Sequence, residues 1–98
     1  MSDEPVVATE PFYSMTRRAG DTLYLSGFGP VDDDLNVIGA DIGEQTRFTM
    51  DAIRRTLQGQ GATMAQLVRV NVFLLEMEDR DGFNSAYMEF FDGAPMPT

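Results

Sequence analysis

The sequence predicts an α+β fold in which two helices cover one face of a mixed sheet. Three observations support this class. Residues 67–75 alternate their apolar side chains as a sheet strand does, residues 81–91 switch to helical spacing, and residues 41–61 carry a second helical pattern with end signals of its own. No repeat, low-complexity tract or linker divides the chain, so residues 1–98 form one predicted domain.

The first predicted elements follow an irregular lead-in at residues 1–10 and form a β-hairpin. Residues 13–18 and 22–26 are short extended runs on either side of Ala19-Gly20-Asp21, which is a turn sequence. The second run then breaks at Ser26-Gly27-Phe28-Gly29-Pro30. Two glycines beside an aromatic residue allow the backbone to approach a ligand or another strand closely. A polar loop is expected at residues 32–39.

The first helix is expected to start near Asp41, which can cap it, with Glu44 three residues on as in a capping box. Gly59 and Gly61 are expected to end it. Its predicted apolar stripe consists of Phe48, Ala52, Ile53 and Leu57. The charges on the opposite face are interpreted as solvated, with i,i+4 support from the pair of Asp51 and Arg55.

The strand at residues 67–75 has apolar side chains on both faces, which predicts a central strand covered on both sides. The helix after it carries an apolar stripe at spacing i, i+3, i+4, i+7 and i+8, and this stripe is interpreted as core. Its members are Phe83, Ala86, Tyr87, Phe90 and Phe91. The two helices cover one face of the sheet, so the apolar side chains of the other face must be buried by something else. A second copy of the chain is the simplest way to bury them.

Composition excludes several kinds of site. The chain has no cysteine and no histidine, so neither a thiolate or imidazole zinc site nor a Ser-His or Cys-His nucleophile pair can be built. Asp32-Asp33-Asp34 is the one suspect for Mg²⁺ or Ca²⁺, but it lacks the ligand spacing of an EF-hand, and a solvated acidic turn is the preferred interpretation. No metal site is therefore expected.

Charge also restricts the partners. Sixteen acidic residues face seven basic ones, all of them arginine, and the net charge is −9. Nucleic acid and anionic membranes are poor partners for such a surface. The N-terminal residues have no basic and apolar signal pattern, and no run reaches the roughly 20 apolar residues of a membrane span. A cytoplasmic location is expected.

Several segments, taken in order, resemble the RidA/YjgF/UK114 family. They are Tyr13-Ser14, the run from Ala19 to Gly27, the helix from Thr46 to Gly61, the strand Val70-Asn71-Val72-Phe73-Leu74, and the helix motif Phe83-Asn84-x-x-Tyr87-x-x-Phe90-Phe91. The resemblance spans nearly the whole chain. It implies a chorismate-mutase-like sandwich assembled as a homotrimer with clefts between subunits. It also implies hydrolysis of reactive enamines and imines, such as 2-iminobutanoate and 2-iminopropanoate, to 2-keto acids and ammonia, with no cofactor or metal.

The resemblance assigns a substrate-binding role to Tyr13, Ser26, Gly27, Phe28 and Asn84, with Phe28 standing where many family members carry a polar residue. Each has a structural alternative. Tyr13 is equally compatible with a half-buried strand position, and Ser26 and Gly27 with a strand end that needs small residues. Phe28 is equally compatible with packing at a seam between subunits, and Asn84 with the solvated side of a helix.

In the family, the carboxylate-binding arginine follows a Pro-x-Arg motif after the second helix, and the catalytic acid lies in a later strand. Pro97-Thr98 matches the Pro-x, so the chain is expected to be C-terminally short and its catalytic residues are unassigned. Two functions stand: an imine deaminase, and a small-ligand-binding trimer without catalysis. A third, ribonuclease or translation inhibition, is disfavoured by the net charge of −9.

Overall fold

The structure is a computed structural model that describes residues 13–98, so the predicted lead-in at residues 1–10 lies outside it. Two strands, β1 and β2, precede two α-helices, α1 and α2; one short 3₁₀ helix follows α1, and two others flank α2. Their bounds are Thr16–Ala19 for β1, Thr22–Leu25 for β2, Ile42–Gly59 for α1, Arg80–Met88 for α2, and Met64–Gln66, Met77–Asp79 and Glu89–Phe91 for the 3₁₀ helices. The predicted α+β class is confirmed.

Strands β1 and β2 pair antiparallel, with Thr16 opposite Leu25 and Ala19 opposite Thr22. Gly20 opens the turn with φ +58°, a conformation that glycine adopts without steric cost. The Arg18 guanidinium donates from Nη2 to the carbonyl oxygen of Gln60 at 2.9 Å. A cation at the carboxyl end of a helix also opposes the negative end of the helix dipole, so this contact fixes the hairpin against the end of α1.

Both predicted ends of α1 are confirmed. The Asp41 carboxylate accepts from the Glu44 N–H at 2.9 Å, and the Glu44 carboxylate accepts from the Ala40 N–H at 3.0 Å. At the other end, Gly61 has φ +78°, and the N–H groups of Gly61 and Ala62 donate to the carbonyls of Gln58 and Leu57. This pair of bonds is a Schellman motif, which needs a left-handed residue where Gly61 stands.

The predicted stripe of α1 is partly wrong. The buried residues of this helix are Thr46, Met50 and Leu57, with Ile53 packed beside them, whereas Phe48 is only half-buried. A polar residue can occupy the buried face because the Thr46 hydroxyl donates to the Ile42 carbonyl at 2.7 Å. The face that meets the core is therefore rotated from the one that apolar side chains alone suggest.

One core joins the hairpin, both helices and the segment between them. Its buried side chains are Met50, Leu57, Met64 and Phe91. The partly buried side chains around them are Leu23, Leu25, Ile53, Ala62, Leu67, Tyr87 and Phe90. The core stripe predicted for α2 is thus confirmed for its carboxyl-terminal half. None of the helices described between residues 13 and 98 has the length and apolar character that a bilayer crossing requires.

The segment 67–75 does not have the predicted central position within the described residues. Thr98 donates to the Val68 carbonyl at 2.8 Å, and the Val70 N–H donates to the Thr98 carbonyl at 3.0 Å, which is a parallel pairing. A central strand needs hydrogen-bonded neighbours at both edges, and in the described chain Thr98 is the residue distant in sequence that bonds to this backbone. The faces of the segment are not covered either, since Phe73 is 93% exposed and Leu75 is fully exposed.

The loop at residues 31–37 is more ordered than predicted. Val31 and Val37 form an antiparallel bridge across it, and the Asp32 carboxylate accepts from the N–H groups of Asp34 and Asn36, each at 2.9 Å. Leu35 has φ +65°, which is unusual for a side chain that branches at Cγ. The acidic run therefore closes a tight turn around Asp32.

Candidate functional site

The candidate site is an open groove of about 370 Å³ between α2, the extended segment before it and residues 97 and 98. The segment contributes Val70, Val72 and Leu74 to its floor. Met77 and the first two turns of α2 form the opposite side. The α2 side chains that line the groove are Arg80, Phe83, Asn84 and Tyr87.

These four α2 residues share one face because they are spaced by three, four and seven positions. The rings of Phe83 and Tyr87 stack with their centroids 5.2 Å apart, and Tyr87 contacts Phe91 in the core at 4.9 Å. The stack fixes the aromatic side of the groove against the interior. Arg80 and Asn84 supply the polar groups of the same face.

The electrostatics of the groove come mainly from two groups. Burial raises the pKa of the Tyr87 phenol, so this ring stays neutral near pH 7. The Arg80 guanidinium supplies a cation, and it forms a long ion pair with the Asp81 side chain, with Nε and Oδ1 3.9 Å apart. The groove therefore combines apolar surface with one cation and one amide, which suits a small organic anion.

The predicted site residues fall into two places. Asn84 lines the groove. The other four lie at the open end of the hairpin, where the Ser26 N–H donates to the Met15 carbonyl at 2.9 Å and extends the pairing by one residue. They are Tyr13, Ser26, Gly27 and Phe28. Tyr13 and Gly27 are exposed, Ser26 and Phe28 half-buried, and none of the four lines the groove.

Arg80 is the groove residue that sequence reasoning missed. Its spacing of four from Asn84 places both on one helical face, and this spacing was the available signal. From the sequence, the aromatic residues of this helix are interpreted only as core, although Phe83 and Tyr87 share the face of Arg80 and Asn84.

A second open groove of about 500 Å³ lies between α1 and the loop at residues 31–33. It is lined by Phe48, Ala52, Thr56 and the charged residues Asp32, Asp33 and Arg55. Asp32 is held by the loop amides, and hydrogen bonding from the Asn36 N–H lowers its pKa. Arg55 donates to Asp51 at 3.0 Å, which confirms the predicted i,i+4 pair. Two of the three charged groups are thus already bound within the chain.

Metal ligation finds no support in residues 13–98, where no group of three or more carboxylates, histidines or cysteines is arranged to hold an ion. The carboxylate of Asp32, in the predicted suspect run, instead accepts hydrogen bonds from its own loop.

Comparison with known sequences gives a clear family. The sequence profile described as endoribonuclease L-PSP matches residues 2–98. A RutC family protein of Sulfurisphaera tokodaii is 36% identical over 84 residues, which cover 85% of this chain and 67% of that protein. The mitochondrial protein mmf2 of Schizosaccharomyces pombe is 33% identical over 85 residues, covering 87% of this chain and 66% of that protein. The chain thus spans about two thirds of the length of these relatives.

Solved structures agree with the sequence comparison. YyfA from Yersinia pestis, of the conserved Rid protein family, superposes with a TM-score of 0.84 at 26% identity and covers 97% of this chain and 78% of that one. The YjgF gene product of E. coli gives a TM-score of 0.82 at 25% identity, covering 93% and 73%. TdcF of E. coli, solved with bound serine, gives 0.80 at 26% identity, covering 88% and 69%.

The ordered motifs, the α+β fold and these matches point to one group. The chain belongs to the endoribonuclease L-PSP family, the RidA/YjgF group that its motifs resemble.

Proposed function

We propose that this protein acts on small 2-imino acids, which it converts with water to 2-keto acids and ammonia. In this reaction water adds to the imine carbon, the nitrogen takes up protons, and the C–N bond breaks to release ammonia. The observation that carries the proposal is the position of Asn84. It is the site residue that the family motif assigns on α2, and it lines an apolar groove beside a cation.

The chemistry of the residues supports a route without a covalent intermediate. The chain has no lysine, cysteine or histidine, so no side chain of these types can attack the imine carbon. Direct attack by water needs orientation of the substrate and proton transfer to the leaving nitrogen. Asn84 can orient a polar substrate group, while Phe83 and Tyr87 exclude water from one side.

Self-association is part of the proposal. Phe73 and Leu75 expose almost all of their surface, and Val68 is 77% exposed on the same segment. Exposed apolar clusters of this kind mark protein contacts. We propose a homotrimer in which the hairpin end of one subunit, with Tyr13 and Ser26, meets the Asn84 groove of a neighbour. Such a contact would unite the two parts of the predicted site.

A second candidate function is binding of a small carboxylic acid without catalysis. It is favoured by one observation: the described residues that line the Asn84 groove include no aspartate or glutamate side chain that could serve as acid or base. TdcF, the relative solved with bound serine, binds a small amino acid. A cytoplasmic location is proposed for either function, and the mitochondrial name of the mmf2 relative is the alternative that cell fractionation would distinguish.

The test measures keto-acid and ammonia release from freshly generated 2-iminobutanoate. It uses the 98-residue chain and a chimera that continues after Thr98 with the corresponding residues of the Sulfurisphaera tokodaii relative, which supply the positions where the family places its arginine and acid. Faster release than the spontaneous hydrolysis, by either protein, supports the deaminase. If neither accelerates release but both bind 2-oxobutanoate, the binding function is favoured. Absence of both effects contradicts both functions.

A further inference from the structure

The groove between α1 and the loop at residues 31–33, called here the α1 groove, shares no lining residue with the Asn84 groove. Its floor is one face of α1, because Phe48, Ala52 and Thr56 are spaced by four positions. Phe48 is half-buried, and the Thr56 hydroxyl donates to the Ala52 carbonyl at 2.9 Å. The floor is thus largely apolar, and the charged groups of the groove come from the loop and from Arg55.

The loop side of the α1 groove carries two carboxylates with different roles. Asp32 accepts hydrogen bonds from the N–H groups of Asp34 and Asn36, each at 2.9 Å, and these bonds hold the loop in place. Asp33 is exposed, and within the part of the chain that the structure describes its carboxylate has neither an ion pair nor a hydrogen bond. Asp33 is therefore the carboxylate that can accept an ammonium group from a ligand.

The helix side of the α1 groove carries a cation with open donors. Arg55 donates from Nε to Asp51 at 3.0 Å, and Arg54 donates to the same carboxylate. One carboxylate is thus shared by two guanidinium groups, which leaves an excess of positive charge at this side. Among residues 13–98, no group accepts a hydrogen bond from either Nη of Arg55, so both can donate to a ligand carboxylate.

We propose that the α1 groove binds a free amino acid with an apolar side chain. The ammonium group pairs with Asp33, and the carboxylate accepts from the Nη groups of Arg55. The side chain lies over Phe48 and Ala52. A zwitterion matches this arrangement better than a ligand of one charge, because such a ligand leaves either Asp33 or Arg55 without a partner. An open groove of about 500 Å³ has room for a ligand of this size.

This site does not depend on the proposed imine hydrolysis, because none of its residues lines the Asn84 groove. Both charged contacts are open to solvent, which screens them. Binding is therefore expected to be weak, with a Kd on the order of 1 mM, and to weaken further as the salt concentration rises.

The experiment titrates the isotope-labelled 98-residue protein with L-leucine and follows the amide chemical shifts. Changes are expected at residues 31–33 and 48–56 and not at residues 80–87. Two analogues of similar shape test the two charges, since 4-methylpentanoate lacks the ammonium group and 3-methylbutylamine lacks the carboxylate. Each should bind about fivefold or more weakly than L-leucine, because one charge-assisted contact is lost. Glycine, which has no side chain to place on the floor, should also bind more weakly.

Variants test the two charged residues. Asp33→Asn and Arg55→Gln should each weaken L-leucine binding about fivefold or more. Asp34→Asn and Arg69→Gln are the matched controls, because they remove the same charges from exposed residues that do not line the groove. The controls should leave the affinity within about twofold. Asp33→Asn should also bring the affinity for 4-methylpentanoate close to that for L-leucine, since the unpaired carboxylate is gone.

Circular dichroism and thermal unfolding check that each variant is folded, and Arg55→Lys replaces Arg55→Gln if the latter unfolds. Three results would overturn the assignment: no chemical-shift change with L-leucine at tens of millimolar, changes confined to residues 80–87, or equal affinity for L-leucine and both of its singly charged analogues. Unchanged affinity in the folded Asp33 and Arg55 variants would overturn it as well.

Discussion

Arg47 and Glu89 form a two-bond ion pair that joins α1 to the 3₁₀ turn after α2. Arg47 Nε lies 3.1 Å from Oε1 of Glu89, and Nη2 lies 2.9 Å from Oε2. The two side chains are 52% and 50% exposed, so their contribution to stability is modest at physiological salt. The two parallel hydrogen bonds have nevertheless the geometry that a guanidinium and a carboxylate prefer. They hold α1 in one position relative to the turn that follows α2.

This pair predicts a defined pH dependence. Hydrogen bonding from Arg47 lowers the pKa of Glu89 in the folded chain. A carboxylate with a lowered folded pKa stabilises the fold above its unfolded pKa of about 4.3, and this contribution is lost as pH falls through the folded pKa. Wild type should therefore unfold at a higher temperature than Glu89→Gln at pH 7, and the difference should shrink as pH falls below about 4.

Thermal unfolding of both proteins between pH 7 and pH 3 checks this expectation. Glu78→Gln is the control, because it removes the same charge from a residue without an ion pair in the described chain. A difference between wild type and Glu89→Gln that stays constant or grows toward low pH would contradict the assignment.

A glycine on α2 is required by close helix packing. A Cβ built on Gly82 would lie 2.7 Å from Cγ2 of Ile42, on the first turn of α1. Gly82→Ala should therefore destabilise the protein by about 1–3 kcal/mol, although alanine favours helices. Gly59→Ala is the matched control in α1, where a Cβ meets nothing within 4 Å and the change should be neutral or stabilising. Urea unfolding measures both, and a Gly82→Ala protein as stable as wild type would refute the packing argument.

The left-handed Leu35 predicts a stabilising substitution. At φ +65° its Cβ is strained, whereas glycine adopts this conformation freely. Leu35→Gly should raise the free energy of unfolding by up to about 1 kcal/mol, since relief of strain exceeds the added entropy of the unfolded chain. Asp34→Gly in the same loop, at a residue with negative φ, should give no gain. Urea unfolding measures the free energy of unfolding of both variants. If both substitutions change it equally, relief of backbone strain at Leu35 is not the cause of the change.

Phe91 should contribute most to the core among the α2 region residues. It is 3% exposed and contacts Tyr87. Phe91→Ala is expected to cost about 3–5 kcal/mol, because it removes a large buried side chain and leaves a cavity. Met88→Ala, at a position 60% exposed, should change stability by less than about 1 kcal/mol. A small effect at Phe91 would show that the carboxyl-terminal turn is not part of the cooperative core.

The exposed segment predicts the behaviour of the assembly. Phe73→Ser should lower the fraction of oligomer measured by light scattering, because Phe73 offers apolar surface that only a partner can bury. Tyr24→Ser removes an aromatic side chain that is 60% exposed on the hairpin, and its effect on the oligomer is compared with that of Phe73→Ser. If wild type is monomeric at high micromolar concentration, the proposed trimer is wrong for these 98 residues.

Local signals account for the parts of the fold that sequence predicts well. Asp41 and Gly61 mark the ends of α1 by chemistry that acts within a few residues, and the aromatic spacing on α2 marks its buried face. Long-range relationships leave no such trace. The Arg47–Glu89 pair, for example, joins residues 42 positions apart. The burial of Thr46 was missed for a different reason: a polar residue is expected on the solvated face, but its hydroxyl donates to the Ile42 carbonyl of its own helix. Arg80 was missed since an arginine at a helix start usually indicates a solvated position.

The parallel bonds between Thr98 and the backbone of Val68 and Val70 close a ring of about thirty residues around α2. Closing such a ring costs chain entropy that grows only slowly with its length. Opening them would release α2 from one side without disturbing α1 or the hairpin. Deuterium uptake at the Val70 and Thr98 amides therefore measures the rate at which this side of the groove opens, separately from unfolding of the whole chain.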